Sequence, residues 1–266
     1  GMEVVTIEDL QELKLPINIK KRMLHFMQNQ VKSNLEEQES YTVKYDCNKC
    51  RDTTYILVGD EAFPCSCKEV RRAKKMLEKS GISEEFSKKT FDNFDYSRNV
   101  QTIDSYTVAR SYVRDFDKIR NNRKNSVIFM GSVGGGKTHL SLAIANELMK
   151  KGVGVVYMGY RDCIIRFKQN IMDASAYESM MSRYKSCKVL LIDDLFKGSI
   201  TSSDLNVIFE IVNHRYFNNL PMIISSENRR EELIKIDEAI GSRILEMCGD
   251  YSVELKGSRL NYRIYG

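Results

Sequence analysis

The sequence predicts an α/β protein in which a parallel sheet is flanked by helices and follows a small helical, cysteine-bearing region. Three observations lead to this fold class. From about residue 126 onward, apolar strand-like runs alternate with helical stretches, which is the pattern of a parallel sheet covered on both faces. A glycine-rich loop ending in Lys137-Thr138 joins the first of these strands to a helix. Four cysteines also lie in two close pairs in the N-terminal third.

Composition and charge limit the classes of protein that are possible. The chain has 266 residues, of which 42% are hydrophobic and 29% are charged, so it can form a core with a solvated surface. No apolar run reaches the length of a membrane span, and we expect no membrane partner. The net charge of +5 permits nucleic-acid contact without requiring it. Seven cysteines, an odd count, and no apparent secretory signal favour reduced or metal-bound thiols in a cytoplasmic protein.

The cysteines of the N-terminal third have the spacing of a metal site. Cys47 and Cys50 form a C-x₂-C pair, and after fourteen intervening residues Cys65 and Cys67 form a C-x-C pair. Four thiolates in two pairs suit a structural, tetrahedral Zn²⁺ site. Between the pairs, residues 53–58 read as a strand followed by a turn, which predicts a small hairpin closed by the metal. Four unrelated thiols and an iron–sulfur cluster are the alternatives.

A strongly basic helix is predicted directly after the cysteines, over residues 68–79. A solvated helix face and a contact with nucleic acid or a partner explain this charge run equally well. Residues 82–100 carry four aromatic side chains in a turn-prone setting. We expect this stretch to be a linker that packs on the following domain, and a helix to run from about residue 103 to residue 120.

The glycine-rich loop predicts a binding site for a nucleoside triphosphate. Its residues fit G-x-x-x-x-G-K-[ST], and they are Gly131, Ser132, Val133, Gly134, Gly135, Gly136, Lys137 and Thr138. Glycines let backbone N–H groups form a cradle for oxyanions, and the N-terminus of the following helix, with His139, adds to it. Lys137 is expected to reach the β- and γ-phosphates, and Thr138 to bind Mg²⁺. A glycine turn that binds nothing is the alternative.

A second element of the site is the apolar strand that ends in Asp193 and Asp194. Paired carboxylates at the end of a buried strand need a cation or water nearby. In phosphate-loop enzymes the first carboxylate helps to hold Mg²⁺, and the second can polarise the attacking water as a general base. We therefore assign Asp193 to the metal and Asp194 to the water. A solvated strand end that caps the next loop is the alternative.

Two further segments complete the predicted site. The next strand ends in Ser225-Ser226-Glu227-Asn228, which places polar groups at the same edge of the sheet. Gly241-Ser242-Arg243 puts an arginine after a helical stretch, and an arginine aimed at a neighbouring subunit's γ-phosphate would stabilise the transition state. Taken alone, the arginine is a weak signal, and its position in the chain gives it weight.

In this order, the motifs resemble those of AAA+ ATPases of the DnaC/IstB-like group, which includes bacterial and phage helicase loaders and transposition helper ATPases. The resemblance covers about two-thirds of the chain. The matching pieces are Phe91-Asp92-Asn93-Phe94, Gly-Gly-Gly-Lys-Thr-His-Leu, Leu-Leu-Ile-Asp-Asp-Leu, Ile-Ile-Ser-Ser-Glu-Asn, Gly-Ser-Arg-Ile and a Tyr-Arg ending. The chain departs from the group in its Asp-Asp pair, where Asp-Glu is usual, and in its Ser-Ser-Glu-Asn segment.

The resemblance implies an ATP-hydrolysing enzyme with specific residue roles. It implies that Lys137, Asp194 and Arg243 act in catalysis, with Arg243 as an arginine finger between the subunits of an ATP-bound homo-oligomer. Ser226 or a neighbour would be the sensor of the γ-phosphate, and Arg263 would touch nucleotide. The implied cofactors are ATP and Mg²⁺, beside the structural Zn²⁺ of the cysteine site.

The function implied by the resemblance is that of a helicase loader, a primosome component in the initiation of DNA replication. Such a protein binds a replicative DnaB-type ring helicase and single-stranded DNA. An IstB-like transposition helper ATPase is the alternative, and a small-molecule kinase and a zinc-dependent DNA-binding module with an inactive ATPase are more distant ones. In this group a helical pair at the place of residues 161–185 meets single-stranded DNA. Its basic residues and tyrosines suit that contact, while a solvated basic face is the alternative.

The predicted domain organisation follows from these motifs. Residues 1–80 form an N-terminal helical and zinc-binding domain that contacts the partner. Residues 81–100 form the linker, and residues 101–266 form the AAA+ ATPase domain with its parallel sheet flanked by helices.

Overall fold

The computed structural model describes residues 15–33, 43–79, 83–97, 100–132 and 136–256. Contacts between residues divide the chain into two compact units, Gly1–Glu69 and Val70–Gly266. In the described ranges, no helix is both long enough and apolar enough to cross a membrane. The domain limits at residues 80 and 100 stay predictions.

The first unit contains a helix and a two-stranded hairpin. Helix α1 spans Ile17–Ser33, and strands β1 (Tyr55–Val58) and β2 (Glu61–Pro64) pair antiparallel. Gly59, in the turn between the strands, has a positive φ of 60°. Glycine adopts this backbone conformation without a steric penalty. Helix α2 (Cys67–Lys79) begins at the last of the clustered cysteines and continues into the second unit.

The second unit is built on a five-stranded parallel sheet. Its strands are β3 (Val127–Gly131), β4 (Val155–Gly159), β5 (Val189–Asp193), β6 (Met222–Ser226) and β7 (Ser252–Leu255). They lie in the order β4-β5-β6-β3-β7, and every neighbouring pair is parallel. Strands β3 to β6 were predicted from their apolar runs. The edge strand β7 was not, because only alternate residues of this short segment are buried.

Helices connect the strands and cover the sheet. They are α3 (Ser83–Lys88), α4 (Val100–Ile119), α5 (Lys137–Lys150), α6 (Tyr160–Gln169), α7 (Ala174–Ser186), α8 (Ser202–Phe217), α9 (Arg230–Ile236) and α10 (Glu238–Cys248). The fold class predicted from the sequence, a parallel sheet flanked by helices, is thus confirmed.

The two faces of the sheet form separate apolar cores. Phe129, Leu191 and Ile223 share one cluster with residues of α4 and α5. Their strand neighbours, such as Leu190 and Ile224, share the other cluster with residues of α6, α8 and α10. Successive residues of a strand point to opposite faces, so the side of the sheet on which a strand-end residue lies is set by its position along the strand.

The segment between α2 and α4 packs on the α5 side of the sheet. Phe86, Phe91 and Phe94 are buried in the cluster that contains residues of α4 and α5. The side-chain amide of Asn146, on α5, donates hydrogen bonds to the carbonyl oxygens of Phe86 (2.7 Å) and Lys89 (2.9 Å). This stretch therefore lies directly against the helix that follows the glycine-rich loop.

Candidate nucleotide-binding site

The glycine-rich loop begins and ends at glycines whose backbone geometry excludes other residues. Gly131 ends β3 with a φ of +112°, and a Cβ added there would lie 2.1 Å from the carbonyl oxygen of Leu255 on β7. Gly136 has a φ of +70°, and its Cβ would lie 2.6 Å from the ring of Phe94. Glycine is required where φ is positive and the backbone is approached this closely. Val133, Gly134 and Gly135 lie outside the described residues.

Helix α5 starts from Gly136 without a side-chain cap. An uncapped helix N-terminus leaves backbone N–H groups available to an anion, and the helix dipole favours negative charge there. Lys137, the first residue of the helix, is buried, and its Nζ lies 3.4 Å from the carbonyl oxygen of Ser132. Burial lowers the pKa of Lys137, although nearby carboxylates, Glu227 first, oppose this shift. A buried ammonium held this loosely is suited to a phosphate.

Asp193 is the centre of a hydroxyl network at the end of β5. Its Oδ1 accepts hydrogen bonds from Thr138 Oγ1 (2.8 Å) and Ser225 Oγ (2.7 Å). Its Oδ2 accepts one from the Tyr157 hydroxyl (2.9 Å). Burial, and to a smaller extent the charge of Asp193, raises the pKa of Tyr157, so the phenol remains a donor. The structure thus places Thr138 and Asp193 in direct contact, and their role as Mg²⁺ ligands stays a prediction.

Asp194 follows in a backbone conformation that is rare for a residue with a side chain. Its φ is +56°, a strained region that often occurs at functional sites, and its N–H donates to Ser225 Oγ at 3.0 Å. Burial, and to a smaller extent the charge of Asp193, raises the pKa of the Asp194 carboxyl. Lys197 Nζ lies 3.8 Å from Asp194 Oδ2 and 3.8 Å from Glu227 Oε1.

Ser225, rather than Ser226, is the serine beside the acidic pair. Ser226 donates its hydroxyl to the carbonyl oxygen of Leu195 at 2.8 Å and accepts from the N–H of Asn228 at 3.2 Å. Strand alternation explains the difference, because Ser225 shares the α5 face of the sheet with Asp193. Of Ser226 and its neighbours, Ser225 is thus the serine that contacts Asp193, and the role of sensor stays a prediction. Counting alternate residues from the apolar positions of β5 and β6 would have identified Ser225, together with Tyr157 on β4.

His139 was expected among the nucleotide contacts, but its ring is directed to the linker. Its Nε2 lies 2.7 Å from the carbonyl oxygen of Thr90, and the ring of Phe94 packs against it at 5.2 Å with an interplanar angle of 76°. Burial lowers the pKa of His139. Any nucleotide contact of this residue would therefore come from its backbone.

Arg243 lies on α10, against aromatic rings of α8. Its guanidinium carbon is 5.6 Å from the ring centre of Phe209 and 5.5 Å from that of Tyr216. Its Nη1 donates to the carbonyl oxygen of Ala239 at 3.2 Å. These contacts hold the side chain by cation–π attraction. The arginine-finger role stays a prediction, and Arg263 lies outside the described residues.

The donor sets of the two predicted metal sites fit their ions. Thr138 and Asp193 offer a hydroxyl and a carboxylate, the hard oxygen ligands that Mg²⁺ prefers. In the first unit, the Sγ atoms of Cys47, Cys50, Cys65 and Cys67 all lie within 4.8 Å of one another. Two of their separations are 3.8 and 3.4 Å, and a tetrahedral site with zinc–sulfur bonds of about 2.3 Å requires about 3.8 Å. The four cysteines can therefore hold a metal ion.

The helical pair α6–α7 carries three exposed arginines and two lysines that form ion pairs. Arg161, Arg166 and Arg183 are exposed. Lys168 Nζ lies 3.0 Å from Asp204 Oδ1, and Lys185 Nζ lies 3.2 Å from Glu210 Oε1.

The turn between α6 and α7 is apolar and exposed. Met172 is 94% exposed and Ile171 is 63% exposed. Tyr184, one of the tyrosines that suited contact with single-stranded DNA, is in contrast buried in the core. A buried ring in this position has no face free for a base.

The chain is similar to a known protein family and to several known proteins. The family described as "IstB-like ATP binding protein" matches residues 24–259. The phage-like element PBSX protein XkdC of Bacillus subtilis is 38% identical over 241 residues, which cover 86% of this chain and 90% of that protein. The replicative helicase loader DnaC of Escherichia coli K12 is 27% identical over 179 residues, which cover 66% of this chain and 70% of that protein.

Among solved structures, the crystal structure of DnaI superposes with a TM-score of 0.56 at 24% identity, covering 65% of this chain and 94% of that chain. At this identity the likeness concerns the fold.

Proposed function

The chain belongs to the family of IstB-like ATP-binding proteins, AAA+ ATPases with a phosphate loop, and from that premise we propose that it loads a replicative ring helicase onto single-stranded DNA. The observation that carries the proposal is the similarity to the replicative helicase loader DnaC over 179 residues. The helicase, the DNA and the oligomer are each part of the proposal.

In the proposed ATPase reaction, residues at the carboxyl ends of β3, β5 and β6 have separate roles. The amides at the start of α5 and Lys137 bind the phosphates, and Thr138 and Asp193 hold Mg²⁺, which neutralises charge on the phosphates when it is bound. Asp194 accepts the proton of the attacking water. Its raised pKa makes it a stronger base than an ordinary aspartate.

Arg243 acts, in this proposal, on the nucleotide of a neighbouring protomer in an ATP-bound homo-oligomer. Its support by Phe209, Tyr216 and the carbonyl of Ala239 fixes the guanidinium on the surface of α10. An arginine supplied from a neighbour makes hydrolysis depend on assembly. ATP binding would thus couple the oligomer to the state of the loaded helicase.

Single-stranded DNA binds, in this proposal, along α6 and α7. Arg161, Arg166 and Arg183 are exposed and neutralise backbone phosphates, while the exposed turn at Ile171 and Met172 contacts bases. Sequence-tolerant binding of single strands combines these two kinds of contact.

The N-terminal unit provides the surface for the helicase in this proposal. Its hairpin is too small to bury a core of its own, and a Zn²⁺ ion on the four cysteines would stabilise the fold of such a module. The metal therefore has a structural role, since all four ligands are sulfur and no position is left for a substrate.

The test uses the full chain and the replicative ring helicase encoded in the same genome. We expect the two proteins to co-elute in size-exclusion chromatography with ATP and Mg²⁺, and the helicase to be transferred to a single-stranded circle. The Lys137→Ala variant should lose the transfer. If the wild-type chain neither binds the helicase nor transfers it, the loader proposal is wrong.

A transposition helper remains the second candidate, because the matching family is described by the name IstB-like. Such a protein would bind a transposase and duplex DNA. Co-elution with a transposase from the same genome, together with no binding to the helicase, would favour it over the loader.

A further inference from the structure

Tyr157 is a residue of the ATPase site to which no motif assigns a role. It lies on β4, next to β5, and the register pairs Tyr157 with Leu191 and Gly159 with Asp193. Its side chain is on the α5 face of the sheet, the same face as Asp193. From there the hydroxyl donates a hydrogen bond of 2.9 Å to Oδ2 of Asp193, the proposed metal ligand at the end of β5.

The hydrogen bonds to Asp193 are unequally divided between its two oxygens. Oδ1 accepts from Thr138 and Ser225 at 2.8 and 2.7 Å. Among the hydrogen bonds of the described residues, the one that holds Oδ2 comes from Tyr157. Since a carboxylate fixed at both oxygens cannot rotate about its Cβ–Cγ bond, Tyr157 keeps Oδ1 directed at Thr138.

The ring of Tyr157 is itself held in place by its surroundings. Phe86, on α3, packs edge-on against it with ring centres 6.2 Å apart and an interplanar angle of 79°. Phe86 is only 1% exposed, and its carbonyl oxygen accepts from Asn146 of α5. A Cβ at Gly159 would lie 3.3 Å from both Cε1 and the hydroxyl oxygen of Tyr157, so the absence of a side chain there leaves room for the ring.

We propose that Tyr157 is a positioning residue that orients the Asp193 carboxylate for Mg²⁺, and that Phe86 of helix α3 keeps the Tyr157 ring in that orientation. Partners that hydrogen-bond to a metal-ligating carboxylate orient it, and their loss typically weakens metal affinity. The inference rests on the ATP site of the proposed function and is independent of the helicase and the DNA.

The experiment measures how the binding of a fluorescent ATP analogue to the full chain depends on Mg²⁺ concentration. In Tyr157→Phe the ring and its contact with Phe86 remain, and only the hydroxyl is lost. We expect the Mg²⁺ concentration for half-maximal binding to rise by about tenfold. Binding in EDTA should be unchanged, because Tyr157 acts through Asp193 and not on the nucleotide.

The matched control is Tyr160→Phe. The Tyr160 hydroxyl is buried and has no hydrogen-bond partner among the described residues, so its removal should leave the Mg²⁺ dependence as in the wild type. Phe86→Leu keeps the Tyr157 hydroxyl and should shift the Mg²⁺ dependence in the same direction as Tyr157→Phe, by a smaller amount.

The possible results separate this inference from the proposed function. If the wild type binds the analogue in a Mg²⁺-dependent manner and Tyr157→Phe binds identically, the positioning role is wrong and the ATPase site stands. An unshifted Phe86→Leu would overturn the role of α3. If the wild type does not bind the analogue at all, the ATP site and the inference fail together.

Discussion

The proposed binding of single-stranded DNA along α6 and α7 makes a quantitative prediction for three arginines. Arg161, Arg166 and Arg183 are exposed, and replacing all three with Gln removes three positive charges without adding bulk. If each contacts a backbone phosphate, each releases a counterion from single-stranded DNA on binding. The salt dependence of binding then counts the contacts that are lost.

The expected change in the salt dependence depends on which basic residues of the helical pair already form ion pairs. Lys168 and Lys185 form ion pairs with carboxylates at 3.0 and 3.2 Å, so we do not count them. For single strands the slope of log K against log salt changes by about 0.7 for each phosphate contact, and three contacts therefore reduce it by about 2. Affinity at low salt should fall more than affinity at high salt.

The assay is fluorescence anisotropy of a labelled oligothymidine, with ATP and Mg²⁺ present, over a series of salt concentrations. The control variant carries Lys118→Gln, Lys150→Gln and Lys235→Gln, which are exposed residues on α4, α5 and α9 and change the net charge equally. The control should keep the wild-type slope. Equal slopes for all three proteins, or equal losses in both variants, would refute a specific DNA path along α6 and α7.

Further predictions concern the loop, the base and the metal. Gly131→Ala should lower the free energy of unfolding in a denaturant titration by more than Gly198→Ala. At Gly131 the new Cβ would lie 2.1 Å from the carbonyl oxygen of Leu255, whereas a Cβ at Gly198 would meet open space. Gly198→Ala should therefore lower the free energy of unfolding by about 1–2 kcal/mol, from the positive φ alone. Equal losses in the two variants would contradict the close approach of β7. Asp194→Asn should reduce the ATP turnover rate by about 10²–10⁴-fold with nucleotide affinity retained, and an unchanged rate would exclude it as the base. Elemental analysis should find one zinc per chain, and its removal by a chelator should unfold the N-terminal unit without abolishing ATP binding; a metal-free, stable protein would exclude the zinc site.

The sequence was sufficient for strands β3 to β6 of the second unit and for the helices that connect them. The apolar runs that became β3 and β5 end in a glycine loop and a carboxylate pair, and each of these patterns has a direct physical cause. The order of the strands could not be derived in this way, because it depends on which strands pair across the sheet. β7 was missed for the same reason, since its short, half-exposed run is stabilised by pairing with β3.

Within the site, the motifs identified residues but not their hydrogen-bond partners. Ser225 and Ser226 are chemically identical in the sequence, and only strand alternation separates the one that contacts Asp193 from the one that contacts Leu195. Tyr157 reads as a core residue of β4, and only the pairing of β4 with β5 shows that its hydroxyl reaches Asp193, two residues beyond its register partner Leu191. The burial of Tyr184 likewise depends on how α7 packs on the sheet.

The central claim is that this chain uses the loop at Lys137 and the carboxylates of β5 to hydrolyse ATP. Steady-state phosphate release from ATP, measured for the wild type and for Lys137→Ala with Mg²⁺ and single-stranded DNA, tests it most directly. The account predicts turnover by the wild type and background release by the variant. Equal rates for the two proteins would contradict it.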